Sequence, residues 1–434
     1  MNYIPNILFA IALVVGIGYF VKNIRKLVRN IKLGQDVDIS DNKGQRWRNM
    51  AMIALGQSKM VRRPIAGFLH VIVYLGFIII NIEVLEIIID GLLGTHRIFS
   101  GIGPSYGFLI GAFEILAVLV FIAVILFWTR RNVVRLKRFW NSEMTSWPKN
   151  DANYILYFEM VLMSLFLIMN ATDLQFQAMD SGNVISQYIA PWFSGFSENT
   201  IHLIERTAWW LHILGILVFL NYLYFSKHLH ILLAFPNTYY GKLTPNGQFN
   251  NLEAVTKEVK LMMDPTADPF AAPADDSEEE PAKFGASDVQ DLSWLQLLNA
   301  YTCTECGRCT SECPANQTGK KLSPRKIMMD TRDRLEEVGK NLDKNNGELQ
   351  DDGKQLLGDY ISHEELWACT SCNACVEACP VSIDPLSIIM DMRRYLVMEQ
   401  SAAPTELNNM MTNIENNGAP WPYNQMDRNN WASE

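Results

Sequence analysis

The chain has 434 residues, with 37 Lys and Arg against 46 Asp and Glu, a net charge of −9, 49% hydrophobic residues and 19% charged ones. That balance excludes a strongly basic, nucleic-acid-binding protein. The averages hide two unlike halves: residues 1–235 hold the long apolar runs, and residues 236–434 hold all eight cysteines.

Taken in chain order, five apolar runs near residues 3–21, 66–89, 106–128, 154–171 and 208–233 are each about long enough to cross a hydrocarbon core of roughly 30 Å. A buried core helix explains one such run but not five in succession. The expected fold is all-α: a five-helix transmembrane bundle followed by a cytoplasmic helical domain. Lys and Arg crowd the segments 22–65 and 129–153, whereas the other two loops carry little besides Arg97 and Arg206. By the positive-inside rule the N-terminus lies outside and the cysteine half in the cytoplasm. No basic residue precedes the first run and a basic cluster follows it, so it reads as a retained anchor.

Ionisable side chains inside a bilayer are costly and tend to line sites. His70 lies about 6 Å inside the cytoplasmic start of span two, and His230 lies at a comparable depth at the end of span five. Two imidazoles at one depth can clamp a haem iron. His228 fits the same depth and competes with His230. His212 precedes His230 by 18 residues, about five turns of a continuous helix, which places it on the same face roughly 27 Å away, near the outer leaflet. No histidine stands on span two as its partner; His96 and His202 lie in outer loops. Arg62, Arg63 and Lys227 are placed to meet haem propionates, but each reads more readily as a positive-inside anchor. Asn81, Glu83, Glu86, Glu114 and Glu159 are the polar residues within or near the spans; Glu83 and Glu86 lie too far outward to serve an inner site.

The cysteines form two identical runs, Cys303-x2-Cys306-x2-Cys309-x3-Cys313-Pro314 and Cys369-x2-Cys372-x2-Cys375-x3-Cys379-Pro380. Two-residue gaps let a tight loop wrap three corners of a cube, and a proline turns the chain away after the fourth. Structural zinc also uses C-x2-C pairs but has no use for the x3-Cys-Pro ending, and disulfides do not suit a reducing cytoplasm. The repeat extends to SPRKIMMDTRDRL at 323–335 and DPLSIIMDMRRYL at 384–396, each opening with an N-cap residue and proline. The expected divisions are a membrane domain at 1–235, an acidic linker at 236–290, a helical two-cluster domain at 291–400 and a tail at 401–434. Residues 264–288 read as a disordered tether, and 341–363 as a surface loop.

The cysteine runs resemble those of two-cluster ferredoxins, in which the fourth thiolate crosses to the other cluster. Carried over, Cys303, Cys306, Cys309 and Cys379 hold one 4Fe–4S cluster, and Cys369, Cys372, Cys375 and Cys313 the other. The membrane half resembles the five-span b-type cytochrome subunit of respiratory nitrate reductases and membrane heterodisulfide reductases, with His212 and His230 matching the pair on span five and His70 the inner histidine of span two. The outer one is absent, so one inner haem b is preferred over two. The whole chain resembles membrane iron–sulfur oxidoreductases related to electron-transfer-flavoprotein:menaquinone oxidoreductase. No cysteine follows Cys379, so the resemblance implies that a CCG-domain protein, or a flavoprotein such as electron-transfer flavoprotein, is a separate cytoplasmic partner.

The expected function is an electron-transfer subunit in a bacterial inner membrane, linking a cytoplasmic donor, two clusters, a haem and a membrane quinone, as part of a quinone-linked oxidoreductase. The alternative is a redox-sensing transport or assembly component with clusters but no haem, its polar path lined by Asn81 and the four glutamates. No catalytic triad, P-loop or Rossmann glycine pattern suggests a separate substrate reaction.

Overall fold

The computed structural model describes residues 3–245, 247–266 and 283–433, and among these it is helical with no strand. Five helices are long and apolar enough to cross a membrane: α1 (Ile4–Ile31), α2 (Pro64–Leu93), α3 (Pro104–Asn132), α4 (Ser146–Thr172) and α5 (Glu198–Tyr222, prolonged by a tight turn to Phe225). Prolines in the first turn start α1, α2 and α3, where the missing N–H costs nothing. Gly94, at φ +73°, ends α2 in the left-handed conformation that side chains resist. Packing of α1 on α2, α2 on α3, α3 on α4, α4 on α5 and α5 on α1 closes a ring around Phe9, Ile80, Phe113, Phe166 and Ile213. The outward faces remain apolar and exposed, as at Val14, Phe108 and Leu203, which suits lipid.

The fifth span differs from expectation. It begins ten residues earlier than residue 208 and breaks at Ser226, whose backbone is extended (φ −113°, ψ 148°). His228 lies in the turn that follows, and His230 opens a separate helix, α6 (His230–Tyr239). Four bonds hold the break: the Ser226 hydroxyl accepts from the His228 N–H, Asp151 accepts from the Lys227 N–H at 3.1 Å, and the Lys227 ammonium is drawn to Pro148 O at 2.7 Å and to Glu305. The continuous-helix spacing of His212 and His230 therefore does not hold.

Helices α7 (Trp294–Thr302), α8 (Arg308–Glu312), α9 (Pro324–Lys344), α10 (Ala374–Ala378) and α11 (Pro385–Arg394) build the cysteine half. Ser323 and Asp384 cap α9 and α11 by accepting from Lys326 N and Ser387 N, as the repeat predicts. α9 runs four residues into the loop expected at 341–363, because its Asn- and Lys-rich end is the solvated face of an amphipathic helix whose Val338 and Leu342 are buried. Of the expected tether, 267–282 lies outside the described residues; on either side of that stretch the chain is bound to the cysteine half, with Asn237 donating to Val381 O at 2.8 Å and Ala286 and Val289 fully buried. Helix α12 (Thr405–Asn417) in the tail buries no residue.

The cysteine half docks on the end of the bundle that carries the basic segments. Leu27, Ile31, Phe219 and Leu229 share one apolar core with Leu297, Leu335 and Ile388. Asn30 donates to Tyr301 Oη at 3.0 Å within that seam, and Asp343 pairs with Lys26 and Arg29 at 2.6 and 2.5 Å. Gln35 exchanges backbone bonds with Leu292 and Trp294 at 2.8 and 3.0 Å. A Cβ on neighbouring Gly34 would stand 2.6 Å from Leu292 O. Gly34→Val is expected to cost about 1–3 kcal/mol and to lower the midpoint of thermal unfolding in detergent. Gly18→Val, where a Cβ meets nothing within 4 Å, leaves the midpoint unchanged.

Candidate functional site

At the junction of the halves lies a cavity of about 370 Å³. His70 reaches it from α2, His228 and His230 from the turn after the fifth span, Glu159 from α4, and Cys306 and Arg308 from the first cysteine loop. The rings of His70 and His230 stand 6.5 Å apart between centres at 40°. Metal–imidazole bonds of about 2 Å put two ring centres roughly 6 Å apart across one metal atom, so the pair is spaced to share an iron. The His230 Nδ1 atom is 3.1 Å from Lys227 O, a bond that fixes the ring and frees Nε2 for ligation. The His70 Nδ1 atom is buried without a partner. His228 also lines the cavity and packs edge-on against His230 at 5.4 Å and tilted against Phe219 at 5.4 Å.

His212 is placed elsewhere. It is buried, 6.1 Å from the Phe166 ring, with Nδ1 3.0 Å from Leu162 O. Among the described residues no second imidazole packs against it, so the arrangement does not fit a second bis-histidine haem.

Two of the three candidate propionate partners do not line the cavity. Arg62 pairs with Glu377, and Arg63 bonds Glu312 at 2.7 Å and Ser311 at 2.8 Å, across the seam in the cysteine half. Lys227 does line it, but its ammonium is taken by Glu305 and Pro148 O. Arg130, Arg131 and Arg138 line the cavity instead. Arg138 has a buried Nε without a partner, and burial lowers its pKa to about 10, which leaves it cationic at neutral pH. Its role was hidden among the many basic residues of 129–153.

The eight cysteines surround two small cavities. Cys303, Cys306, Cys309 and Cys379 line one, Cys313, Cys369 and Cys372 line the other, and Cys375 lines both. The two loops share a backbone pattern: Glu305 and Gly307 take φ +54° and +70°, and their counterparts Ser371 and Asn373 take +57° and +60°. Asn373, a residue type that tolerates this region, stands where the first loop has glycine. Backbone N–H groups of Ile383 and Ser371 reach the sulfurs of Cys379 and Cys369 at 3.3 and 3.4 Å. Burial pushes the Cys303 and Cys379 thiols up to about 12 and 11, so metal binding there would release protons.

Two buried charges hold the first loop, and neither was evident from the sequence because their partners are far away in the chain. Glu305 accepts from Arg332 at 2.8 Å and from Lys227; burial opposes its ionisation, yet Lys227 and Arg332 outweigh this and hold its pKa at about 2. Arg325, fully buried at the edge of the first cysteine cavity, pairs with Glu143 at 2.6 Å and donates to Arg138 O at 2.6 Å.

Residues 302–383 match the family of 4Fe–4S dicluster domains. Over 99% of its length the chain is 30% identical to a probable iron-sulfur-binding oxidoreductase, FadF, of Bacillus subtilis, of which it covers 61%. It is 26% identical, over 92% of its length, to 55% of an EtfAB:quinone oxidoreductase of Syntrophomonas wolfei. It is also 31% identical over 175 residues to a probable membrane-anchored ferredoxin of Chromohalobacter salexigens, 37% of this chain and 26% of that one. The chain thus spans little more than half the length of the first two relatives. No solved structure matches. The dicluster match supports iron–sulfur clusters in the cysteine half.

The Glu143–Arg325 pair gives a pH-dependent prediction. Burial raises the Glu143 pKa, but Arg325 and the Ser323 hydroxyl more than reverse this and hold it below the ordinary 4.5. Its contribution is present above about pH 4.5 and lost as pH falls through the lowered value. Denaturant titrations from pH 7 to 3 should show that loss, and Glu143→Gln should reduce it. Glu143→Ala, which strands a buried guanidinium, is expected to cost about 3–5 kcal/mol.

Proposed function

We propose that the chain is a membrane electron-transfer subunit of a quinone-linked oxidoreductase. It would carry two 4Fe–4S clusters and one haem b between a cytoplasmic redox partner and a membrane quinone, menaquinone. The observation that carries this reading is shared lining: Cys306, Arg308, Pro380 and Val381 border both the histidine cavity and the first cysteine cavity. A haem held between His70 and His230 would therefore adjoin the first cluster, with no intervening domain.

Bound there, the iron cofactors would supply one-electron transfer, and the protein would tune them through ligands, burial and hydrogen bonds. The chain's own residues have separate tasks. His70 and His230 would ligate the haem iron, and Arg138 would meet a propionate. Cys303, Cys306, Cys309 and Cys379 would hold the cluster nearer the membrane, and Cys313, Cys369, Cys372 and Cys375 the farther one. Cys372 is exposed where the other seven thiols are buried or half-buried, which supports the farther cluster as the place where a CCG-domain protein or a flavoprotein would exchange electrons. With the basic helix ends and the cysteine half on one side, the reading places that side in the cytoplasm of a bacterial cell and the N-terminus outside. The divisions at 1–235, 236–290, 291–400 and 401–434 are part of the proposal.

Protein purified without oxygen should lose its haem on His70→Ala while keeping its iron–sulfur content, and keep its haem on His212→Ala. Haem retained by His70→Ala would reject the ligand assignment. Cys379→Ser should damage the cluster of Cys303, Cys306 and Cys309, as read by electron paramagnetic resonance; selective loss of the other cluster would reject crossed ligation.

A further inference from the structure

The end of the bundle away from the cysteines has a cavity of its own, about 420 Å³, between α1, α2, α5 and the outer loops. The histidine cavity reaches Ile78 on α2, and this one begins at Glu83, five residues or about 7.5 Å further along the helix. Phe9 and Trp209, with ring centres 5.3 Å apart, form part of its wall. His96 and Arg206 stand half-exposed at its rim.

Nearly all its carboxylates are already engaged. Glu86 accepts from Phe99 N at 2.8 Å and Tyr106 Oη at 2.9 Å. Asp90 accepts from Thr95 Oγ1 and from the N–H groups of Arg97 and Ile98. Asp173 binds Arg97 at 2.8 Å and His96 at 3.0 Å, and Glu205 pairs with Arg206. Glu83 is the exception: it is 3% exposed, and its Oε2 has no hydrogen-bond partner. A buried polar atom left unpaired is costly and calls for a ligand.

The surroundings select the ligand. A metal cation needs several free oxygens, and the neighbouring carboxylates are spoken for. An anionic headgroup would meet a surplus of carboxylates. What fits is a neutral planar ring carrying an oxygen that hydrogen-bonds one carboxyl, entering from lipid along α1, where Leu8 and Ile11 are exposed. We propose that this outer cavity binds the head of a quinone or quinol, with Glu83 as its hydrogen-bonding and proton-exchanging group. Protonated, Glu83 donates to a quinone carbonyl; ionised, it accepts from a quinol hydroxyl. Oxidation of a quinol here breaks two O–H bonds. Two electrons pass singly to the iron cofactors, one proton passes to Glu83, and both protons leave to the outer aqueous phase past His96 and Arg206; quinone reduction is the reverse. This inference rests on the quinone-linked reading above and gives its substrate a place.

The test uses the whole purified protein, reduced either by a short-chain menaquinol analogue or by dithionite, with equilibrium dialysis measuring binding of the oxidised analogue. Glu83→Gln should slow menaquinol-driven reduction of the haem at least tenfold, leaving iron content, haem content and dithionite reduction unchanged, and Glu83→Asp should recover part of the rate. Ile87→Trp, which fills the cavity from its buried wall, should weaken analogue binding at least tenfold. Wild-type rates in Glu83→Gln together with wild-type binding in Ile87→Trp would overturn the site while leaving the quinone reading intact. A wild-type haem that menaquinol cannot reduce would overturn both.

Discussion

The arrangement depends on one buried ion pair, that of Glu305 with Lys227, supported on its other side by Arg332. Glu305 sits between the first two cysteines of its loop, and Lys227 sits in the break that delivers His228 and His230. A buried carboxylate and ammonium cannot be left singly without a large desolvation cost. Joining them pulls the chain out of the fifth helix and brings the histidine turn against the first cysteine loop. Loss of helical hydrogen bonds at Ser226 is offset by its hydroxyl, by Asp151 and by the capped turn that follows.

That constraint gives the molecule a polarity. At the docked end, Arg62 and Arg63 beside the start of α2 meet carboxylates of the cysteine half, and Arg138, which lines the cavity, has a buried Nε without a partner. At the far end the surplus is acidic, and one carboxyl oxygen, Glu83 Oε2, is buried without a partner. An unpartnered nitrogen of a cation thus lies at one cavity and an unpartnered carboxyl oxygen at the other. Between them the bundle is packed with Ile80, Phe113, Phe166 and Ile213, and His212 belongs to that packing.

Local chemistry was legible in the chain, and long-range pairing was not. The spans follow from apolar runs of sufficient length, and the two cysteine loops with their capped helices follow from a repeat that the structure reproduces down to the left-handed residues Gly307 and Asn373. The nearness of the His70 and His230 rings was readable from depth, and it does not depend on the helical spacing to His212 that the break at Ser226 removes. The sequence could not say what Arg62, Arg63 and Lys227 bind, because a basic residue near a site says nothing of which carboxylate claims it, and the claimants, Glu377, Glu312 and Glu305, lie more than seventy residues away. Arg325 and Glu143 were invisible for the same reason.

The central claim is that iron cofactors continue from the cysteine half into the membrane. Its most direct measurement is joint quantitation of non-haem iron and haem, with optical and electron paramagnetic resonance spectra, on protein purified without oxygen. About eight non-haem irons and one low-spin, bis-imidazole haem per chain are the result the structure leads one to expect from its two thiol-lined cavities and one imidazole pair. Full iron–sulfur content with no haem would contradict it.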